Sequence, residues 1–302
     1  MGKKIIFMGT PSYAATILQA LINSGFNVLA IFTQPDKAVG RKQILSASEV
    51  KILGLNNNID VFTPNNLKDE QISKLISSLN PDFIVVAAYG KILPKNILDI
   101  CPCINLHASL LPKYRGASPI QSAILNGDEE SGVCSMLMQE SLDSGDILEK
   151  TSFSIKNKKA DEVFELMSKE AAKLCISTLN NFYKIKPQAQ DESKATFCKK
   201  IKKSDGLVNL EDAKTLYQKF LAFYPWPGVF LENGLKFIDI NLIDDISKNK
   251  EAEILDIQGE SFLLACKKGV LKINKIQEAG KKICSAKSYL NGKRLKSGNY
   301  LY

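Results

Sequence analysis

The chain contains a single histidine, His107, so any acid or base chemistry that needs an imidazole must use this residue. Asn105 stands two positions before it, in an apolar stretch that predicts a β-strand. Residues two apart share one face of a strand, so a carboxamide and an imidazole are predicted to point the same way. Preorganised donors of this kind stabilise the negative charge that develops on oxygen when an amine adds to a carbonyl. The pair is suited to a reaction of that type.

A third member is indicated by the turn-rich segment 141–146, which contains Asp143 and Asp146. A carboxylate beside the imidazole would fix which ring nitrogen carries the proton. Either aspartate could reach back to His107, and the spacing does not choose between them. The spacing alone leaves one alternative open. His107 would then be an ordinary hydrogen-bonded histidine, and segment 141–146 a turn of common composition.

Motifs for other chemistries are absent. The turn Gly9-Thr10-Pro11 follows the first predicted strand, but neither GxGxxG nor GxxxxGK[ST] occurs, which disfavours NAD and ATP. The seven cysteines are odd in number and scattered, without CxxC spacing, and one histidine cannot complete a ligand cluster. We therefore expect no metal and no disulfide bonds.

The elements that must position these residues alternate between short apolar, β-branched runs and helical stretches. This rhythm predicts βαβ units and an α/β domain built on a doubly wound parallel sheet, which places Asn105 and His107 at the carboxyl end of a strand, where such sheets bind ligands. Strands are predicted at 4–8, 28–33, 82–87, 103–107 and 132–138, and helices at 14–24, 69–78, 119–126 and 160–183.

The alternation of apolar runs and helical stretches ends after this domain, to which we assign residues 1–184. Residues 185–204 are polar and lysine-rich and predict a linker between domains. In residues 205–302 a predicted helix at 210–222 and a Pro-Trp-Pro-Gly turn at 225–228 precede several short alternating segments. Short strands separated by turns predict a small β-barrel.

The net charge of +8 favours a polyanionic partner, and its distribution is uneven. Residues 271–302 contain eight basic side chains and one acid, and residues 184–203 contain seven lysines and two acids. No apolar stretch is long enough for a membrane span or a signal peptide, so we expect a cytoplasmic protein that does not bind membranes.

Several blocks, in order along nearly the whole chain, resemble the methionyl-tRNA formyltransferase family. The most specific is the long central motif at 105–121, which contains Asn-Leu-His-Ala-Ser-Leu-Leu-Pro. The sequence departs from the usual family residues at Tyr114, Cys134, Ser135 and Ser141. The other matching blocks are 7–11, 33–36, 87–94, 142–146, 190–192, 195–197 and 225–228.

The resemblance implies a 10-formyltetrahydrofolate co-substrate and catalytic roles for Asn105, His107 and Asp143. Asp143 matches the first aspartate of the family's LDxGD motif, which leaves Asp146 as a structural turn residue. The resemblance also implies a formyltransferase-like variant of the Rossmann fold, followed by an OB-like barrel that helps to bind tRNA. The residues assigned to folate binding are Ser109, Leu110, Leu111, Pro112, Tyr89 and Ile92.

The resemblance also implies that initiator methionyl-tRNA is the partner, and we expect the protein to be a monomer. The family's insertion loop corresponds to residues 36–46, where Arg41 follows Gly40 as the family pattern requires. The alternative is that residues 36–46 form a solvated, charged loop with no role in tRNA binding. The residues assigned to tRNA binding are Arg41, Lys37, Lys42, Lys202, Lys203, Lys281, Lys282, Lys293 and Arg294.

Two rival functions remain. A formyltransferase acting on an amino sugar nucleotide or on glycinamide ribonucleotide would share the Asn, His and Asp residues. It would lack the domain that contains the turn at 225–228 and the basic tail. A non-catalytic RNA-binding protein would have no need of the folate-binding residues at 109–112.

Overall fold

A computed structural model describes residues 2–39 and 43–302 of the chain. The described residues form two compact units. The first comprises residues up to Pro119 together with Glu130–Ser154 and Val163–Lys199. The second comprises Ile120–Glu129, Ile155–Glu162 and Lys200–Tyr302.

The first unit is built on a seven-stranded sheet of order β10-β9-β7-β6-β1-β2-β5. Two further small pairings, β3 with β4 and β8 with β11, lie outside this sheet. The strands are β1 (Lys4–Gly9), β2 (Asn27–Phe32), β3 (Lys37–Val39), β4 (Ile44–Ser46), β5 (Val61–Phe62), β6 (Phe83–Ala87), β7 (Cys103–His107), β8 (Arg115–Gly116), β9 (Glu130–Leu137), β10 (Ile147–Ser154) and β11 (Phe197–Cys198).

The predicted α/β fold is confirmed, but the sheet is mixed rather than wholly parallel. Strands β5, β2, β1, β6 and β7 pair in parallel, whereas β9 is antiparallel to β7 and β10 is antiparallel to β9. The apolar pattern at 132–138 predicted a strand correctly but carries no information about its direction. In this pairing Cys134 lies opposite His107.

The helices of this part of the chain include two that sequence reasoning did not predict, Glu49–Asn56 and Lys95–Leu98. Helix α2 begins after Ser48, whose hydroxyl caps the backbone N–H of Lys51, and it contains Gly54. A Cβ at Gly54 would lie 2.7 Å from side-chain atoms of Ile31 and Val61, so the glycine permits close packing on β2 and β5. The helices are α1 (Ser12–Asn23), α2 (Glu49–Asn56), α3 (Glu70–Ser78), α4 (Lys95–Leu98), α5 (Pro119–Leu125) and α6 (Ala160–Asn181).

The core of the first unit lies around the central strands. Every residue of β6 and β7 is buried, as expected for parallel strands that are covered on both faces. Tyr13 on α1 donates a hydrogen bond from its hydroxyl to the carbonyl oxygen of Leu106, at 3.1 Å. Burial raises the pKa of the Tyr13 hydroxyl far above its ordinary value, so this group remains a donor. The contact anchors β7 to α1.

The second unit is an antiparallel β structure of order β12-β13-β16-β15-β14, with β17 paired to β16. The pairings described for residues 200–302 do not close this sheet into a barrel. Its elements are α7 (Ala213–Ala222), β12 (Val229–Phe230), β13 (Lys236–Lys248), β14 (Ile254–Gln258), β15 (Ser261–Ala265), β16 (Lys268–Gln277), β17 (Cys284–Ser285) and α8 (Ala286–Lys293).

Part of the segment predicted as a linker pairs with the first unit. Gln188 forms an antiparallel bridge with Ile147, and β11 forms a parallel pair with β8. None of the helices that the structure describes is long and apolar enough to cross a membrane.

Candidate active site

Asn105 and His107 lie at the carboxyl end of β7, on one face of the strand. Both are largely buried, with exposed fractions of 9% and 6%. Asp143, in the turn between β9 and β10, brings its carboxylate to both of them. Its Oδ1 lies 3.4 Å from Nδ2 of Asn105, and its Oδ2 lies 3.7 Å from Nδ1 of His107. The structure therefore brings together the three side chains that were predicted from the sequence.

The imidazole of His107 has a second partner that sequence reasoning missed. Its Nε2 lies 3.0 Å from the backbone carbonyl oxygen of Tyr114. A carbonyl oxygen only accepts hydrogen bonds, so Nε2 must carry a hydrogen to make this contact. Nδ1 is then the ring nitrogen that faces the carboxylate and can exchange a proton. A backbone partner has no sequence signal, because any residue at position 114 supplies a carbonyl.

The turn that carries Asp143 has a constrained backbone. Asp143 has a φ of 48°, in the left-handed region that few non-glycine residues adopt. A Cβ at Gly145 would lie 1.8 Å from the carbonyl oxygen of Leu137, so only glycine fits there. Asp146 instead accepts a backbone hydrogen bond from Leu137, at 2.9 Å. This geometry brings the carboxylate of Asp143 to His107 and assigns a backbone contact to Asp146.

Residues 113–118 form a loop that is fixed by the downstream segment 195–199. Thr196 accepts a hydrogen bond at its hydroxyl from the backbone N–H of Tyr114, at 2.8 Å. In β8, the N–H of Gly116 donates to Oδ2 of Asp143, also at 2.8 Å. A Cβ at Gly116, where φ is 120°, would lie 2.3 Å from the carbonyl oxygen of Cys198. This glycine therefore allows the close approach of β8 and β11 and supplies a donor to the carboxylate.

Four of the residues assigned to folate binding form one loop directly after β7. Ser109 is buried and donates from its hydroxyl to the carbonyl oxygen of Lys113, at 2.6 Å. Leu111 is buried, whereas Leu110 and Pro112 are half-buried. The loop is thus continuous with His107 and has partly accessible side chains.

Tyr89 and Ile92, in the loop after β6, differ sharply in their exposure. Tyr89 is buried in the core, and its hydroxyl has no hydrogen-bond partner among the described residues. Its carbonyl oxygen accepts hydrogen bonds from the side chains of Thr10 and Gln34. Ile92 is 78% exposed. The backbone of Tyr89 therefore joins the loops that follow β1, β2 and β6.

The residues assigned to tRNA binding fall into three groups. Arg41 and Lys42 lie outside the described residues. Lys281 and Lys293 both form salt bridges with Glu278, and these two contacts lower the pKa of its carboxyl group. The remaining residues are exposed: Lys37, Lys202, Lys203, Lys282 and Arg294.

The described part of the chain holds no group of three or more His, Cys, Asp or Glu side chains able to bind a metal ion. The site instead offers a carboxamide, an imidazole and a carboxylate at the edge of a sheet. This set can donate hydrogen bonds to a developing negative charge and can move a proton.

Fold and site together define a protein with a formyltransferase-type α/β unit followed by an antiparallel β unit. The family model described as formyl transferase matches residues 3–179, and the one described as formyl transferase, C-terminal domain, matches residues 200–294. The chain belongs to the formyl transferase family.

Two relatives share most of this sequence. A protein of Campylobacter jejuni subsp. doylei named methionyl-tRNA formyltransferase is 65% identical over 303 residues, which is 99% of each chain. A protein of Campylobacter lari with the same name is 66% identical over 302 residues, which is 99% of this chain and all of the relative.

Among solved structures, HypX from Aquifex aeolicus in complex with tetrahydrofolic acid has a TM-score of 0.67 at 17% identity. The match covers 98% of this chain and 49% of HypX. At this identity, the likeness concerns the fold alone.

Proposed function

We propose that this chain transfers a formyl group from 10-formyltetrahydrofolate to the amino group of methionyl initiator tRNA. The names of relatives that are 65% and 66% identical over the full length support this function. The structural observation that carries the proposal is the convergence of Asn105, His107 and Asp143 at the carboxyl edge of the sheet.

In the proposed reaction, hydrogen bonds to the formyl oxygen stabilise the negative charge that develops on it. The donors are the amide N–H of Asn105 and Nδ1–H of protonated His107, because Nε2–H donates to the Tyr114 carbonyl oxygen. Asp143 holds the imidazole and assists removal of a proton from the attacking amine. The amine nitrogen forms a bond to the formyl carbon, and the bond from that carbon to N10 of the folate breaks. Overall, one proton leaves the amine and one reaches N10. Binding both substrates beside these side chains supplies the proximity that the reaction requires.

The folate is proposed to bind against Ser109, Leu110, Leu111 and Pro112, with Tyr89 and Ile92 on the neighbouring loop. Two observations support this site: the loop follows His107 directly, and two of its side chains are half-buried. HypX, which shares the fold, was crystallised with tetrahydrofolic acid.

For the tRNA, we propose contacts from the loop at 36–46 and from the basic residues of the second unit. We further propose that residues 1–184 form the catalytic domain, that residues 185–204 cross to a tRNA-binding domain at 205–302, and that this domain is OB-like. A cytoplasmic monomer fits this function.

The decisive experiment measures transfer of a radiolabelled formyl group from 10-formyltetrahydrofolate to charged initiator tRNA. Parallel reactions contain an amino sugar nucleotide or glycinamide ribonucleotide as the acceptor. We expect transfer to the tRNA alone. Transfer to either small acceptor in place of the tRNA would assign the chain to a rival function, and no transfer to any acceptor would refute formyl transfer altogether.

A further inference from the structure

Gln190 lies in the segment predicted as a linker, yet its side chain contacts the turn that carries Asp143. The amide nitrogen of Gln190 donates to the backbone carbonyl oxygens of Asp143, at 2.9 Å, and of Gly145, at 2.7 Å. Its amide oxygen accepts from Nε and Nη2 of Arg115, at 3.1 Å and 2.8 Å. The side chain therefore uses both of its N–H donors and accepts two hydrogen bonds, all within the first unit.

Arg115 connects this amide to the loop that follows His107. Its side chain is only 3% exposed and is held by the carboxylate of Glu192 at Nη1–Oε2 2.9 Å and Nη2–Oε1 2.6 Å. These hydrogen bonds hold the pKa of the Glu192 carboxyl below its ordinary value. A buried guanidinium requires such partners, and its planar geometry fixes where they lie. Arg115 and Glu192 thus hold the Gln190 amide oxygen in place.

Hydrogen bonds from two connected residues, Gly116 and Gln190, therefore hold both the carboxylate and the backbone carbonyl of Asp143. Its carboxylate accepts from the N–H of Gly116, the residue after Arg115, and its carbonyl oxygen accepts from Gln190. The positive φ of Asp143 is a conformation that persists only where surrounding contacts impose it. Without the Gln190 amide, the carbonyl oxygens of Asp143 and Gly145 lose a donor, and the carboxylate loses one restraint on its position relative to His107.

We propose that Gln190 is a positioning residue that fixes the Asp143 carboxylate opposite Nδ1 of His107 without contacting the substrates. The proposal deepens the function proposed above and rests on it for the step that Asp143 assists. The composition of this lysine-rich segment predicts only a linker. The proposal gives the segment a part in forming the active site.

Two substitutions separate the contacts of Gln190. Gln190→Glu keeps oxygen acceptors for Arg115 but removes both N–H donors to the turn. Gln190→Met keeps similar length and removes all polar contacts. The matched control is Gln188→Glu, because the Gln188 side chain is exposed and the residue joins the sheet through its backbone. The control makes the same change of charge two residues away.

The kinetic test measures kcat and KM for both substrates. Gln190→Glu and Gln190→Met are expected to lower kcat on the order of 10- to 100-fold while changing KM little, since a small misplacement of a catalytic group has this effect. In the Asp143→Asn background, Gln190→Met is expected to have little further effect, because both changes act on one carboxylate. Additive losses, or an equal loss in Gln188→Glu, would overturn the proposal.

A second readout does not depend on activity. His107 is the only histidine, so in protein without a histidine tag its ring gives the only histidine side-chain signals in an NMR spectrum. We expect Gln190→Met to move these signals towards those of Asp143→Asn, whereas a role confined to general stability would leave them at their wild-type positions. An unchanged spectrum in Gln190→Met contradicts the proposal even if the wild-type enzyme acts on another acceptor. Wild-type transfer to charged tRNA, measured separately, tests the function itself.

Discussion

The imidazole of His107 contacts the backbone carbonyl oxygen of Tyr114 through Nε2, at 3.0 Å, and faces the carboxylate of Asp143 through Nδ1. The first contact holds one ring nitrogen as a donor to the protein. Only Nδ1 is left for the reaction. Because Tyr114 is itself fixed by Thr196, the orientation of the only imidazole depends on a segment about ninety residues downstream.

This orientation predicts the effect of removing either polar group on β7. His107→Ala and Asn105→Ala are each expected to lower turnover on the order of a hundredfold or more, since each removes a donor to the developing oxyanion. Asn105→Asp is the closer control, because it keeps the size of the side chain and replaces the N–H donor with an acceptor. Turnover would be measured with charged initiator tRNA. Near-normal turnover in either alanine variant would refute the assigned roles.

Gly116 provides a test of the loop that faces Asp143. Gly116→Ala places a Cβ 2.3 Å from the Cys198 carbonyl oxygen at a φ of 120°, so β8 and β11 must separate. The variant is expected to lose at least about 1–3 kcal/mol of unfolding free energy from backbone strain alone, together with activity. Denaturant unfolding measures the stability. Gly280→Ala, at a positive φ with no atom near its Cβ, controls for strain without a clash.

The sequence predicted the parts of the site that follow from periodicity. Alternation along 103–107 correctly placed Asn105 and His107 on one face of β7, and the apolar runs predicted the central strands. The sequence did not predict that β9 runs antiparallel to β7. The residues of a buried strand do not show in which direction it runs relative to the strand beside it. Helix α2 was also not predicted; its Gly54 packs closely on β2 and β5, a contact that only the structure shows.

The remaining features depend on tertiary contacts between distant parts of the chain. The choice between Asp143 and Asp146 was open from spacing and is made by a turn with one positive φ and a glycine against Leu137. Gln190 contacts a turn 47 and 45 positions before it in the sequence. Residues 190–192 belong to a block that resembles the family, but the resemblance does not show what the Gln190 side chain contacts.

The same substitution is expected to affect stability differently at two buried tyrosines. Tyr13→Phe removes a donor to the Leu106 carbonyl oxygen and is expected to cost about 1 kcal/mol of unfolding free energy. Tyr89→Phe removes a hydroxyl that has no partner in the described residues and is expected to be neutral or stabilising. Thermal or denaturant unfolding of the pair compares them directly. A clear loss of stability in Tyr89→Phe would mean that its hydroxyl is satisfied in the folded protein.

Glu278 is expected to limit the interaction of the second unit with tRNA, because it neutralises two of the lysines assigned to that interaction. Lys281 and Lys293 both pair with its carboxylate, whose pKa they lower, so it stays charged at neutral pH. Glu278→Gln frees both ammonium groups for phosphates. Titration of tRNA binding against salt is expected to show tighter binding at low salt and a steeper slope, since each added phosphate contact releases counterions. Lys282→Ala and Arg294→Ala are expected to make the slope shallower by about one each. If Glu278→Gln leaves both affinity and slope unchanged, these lysines do not contact tRNA.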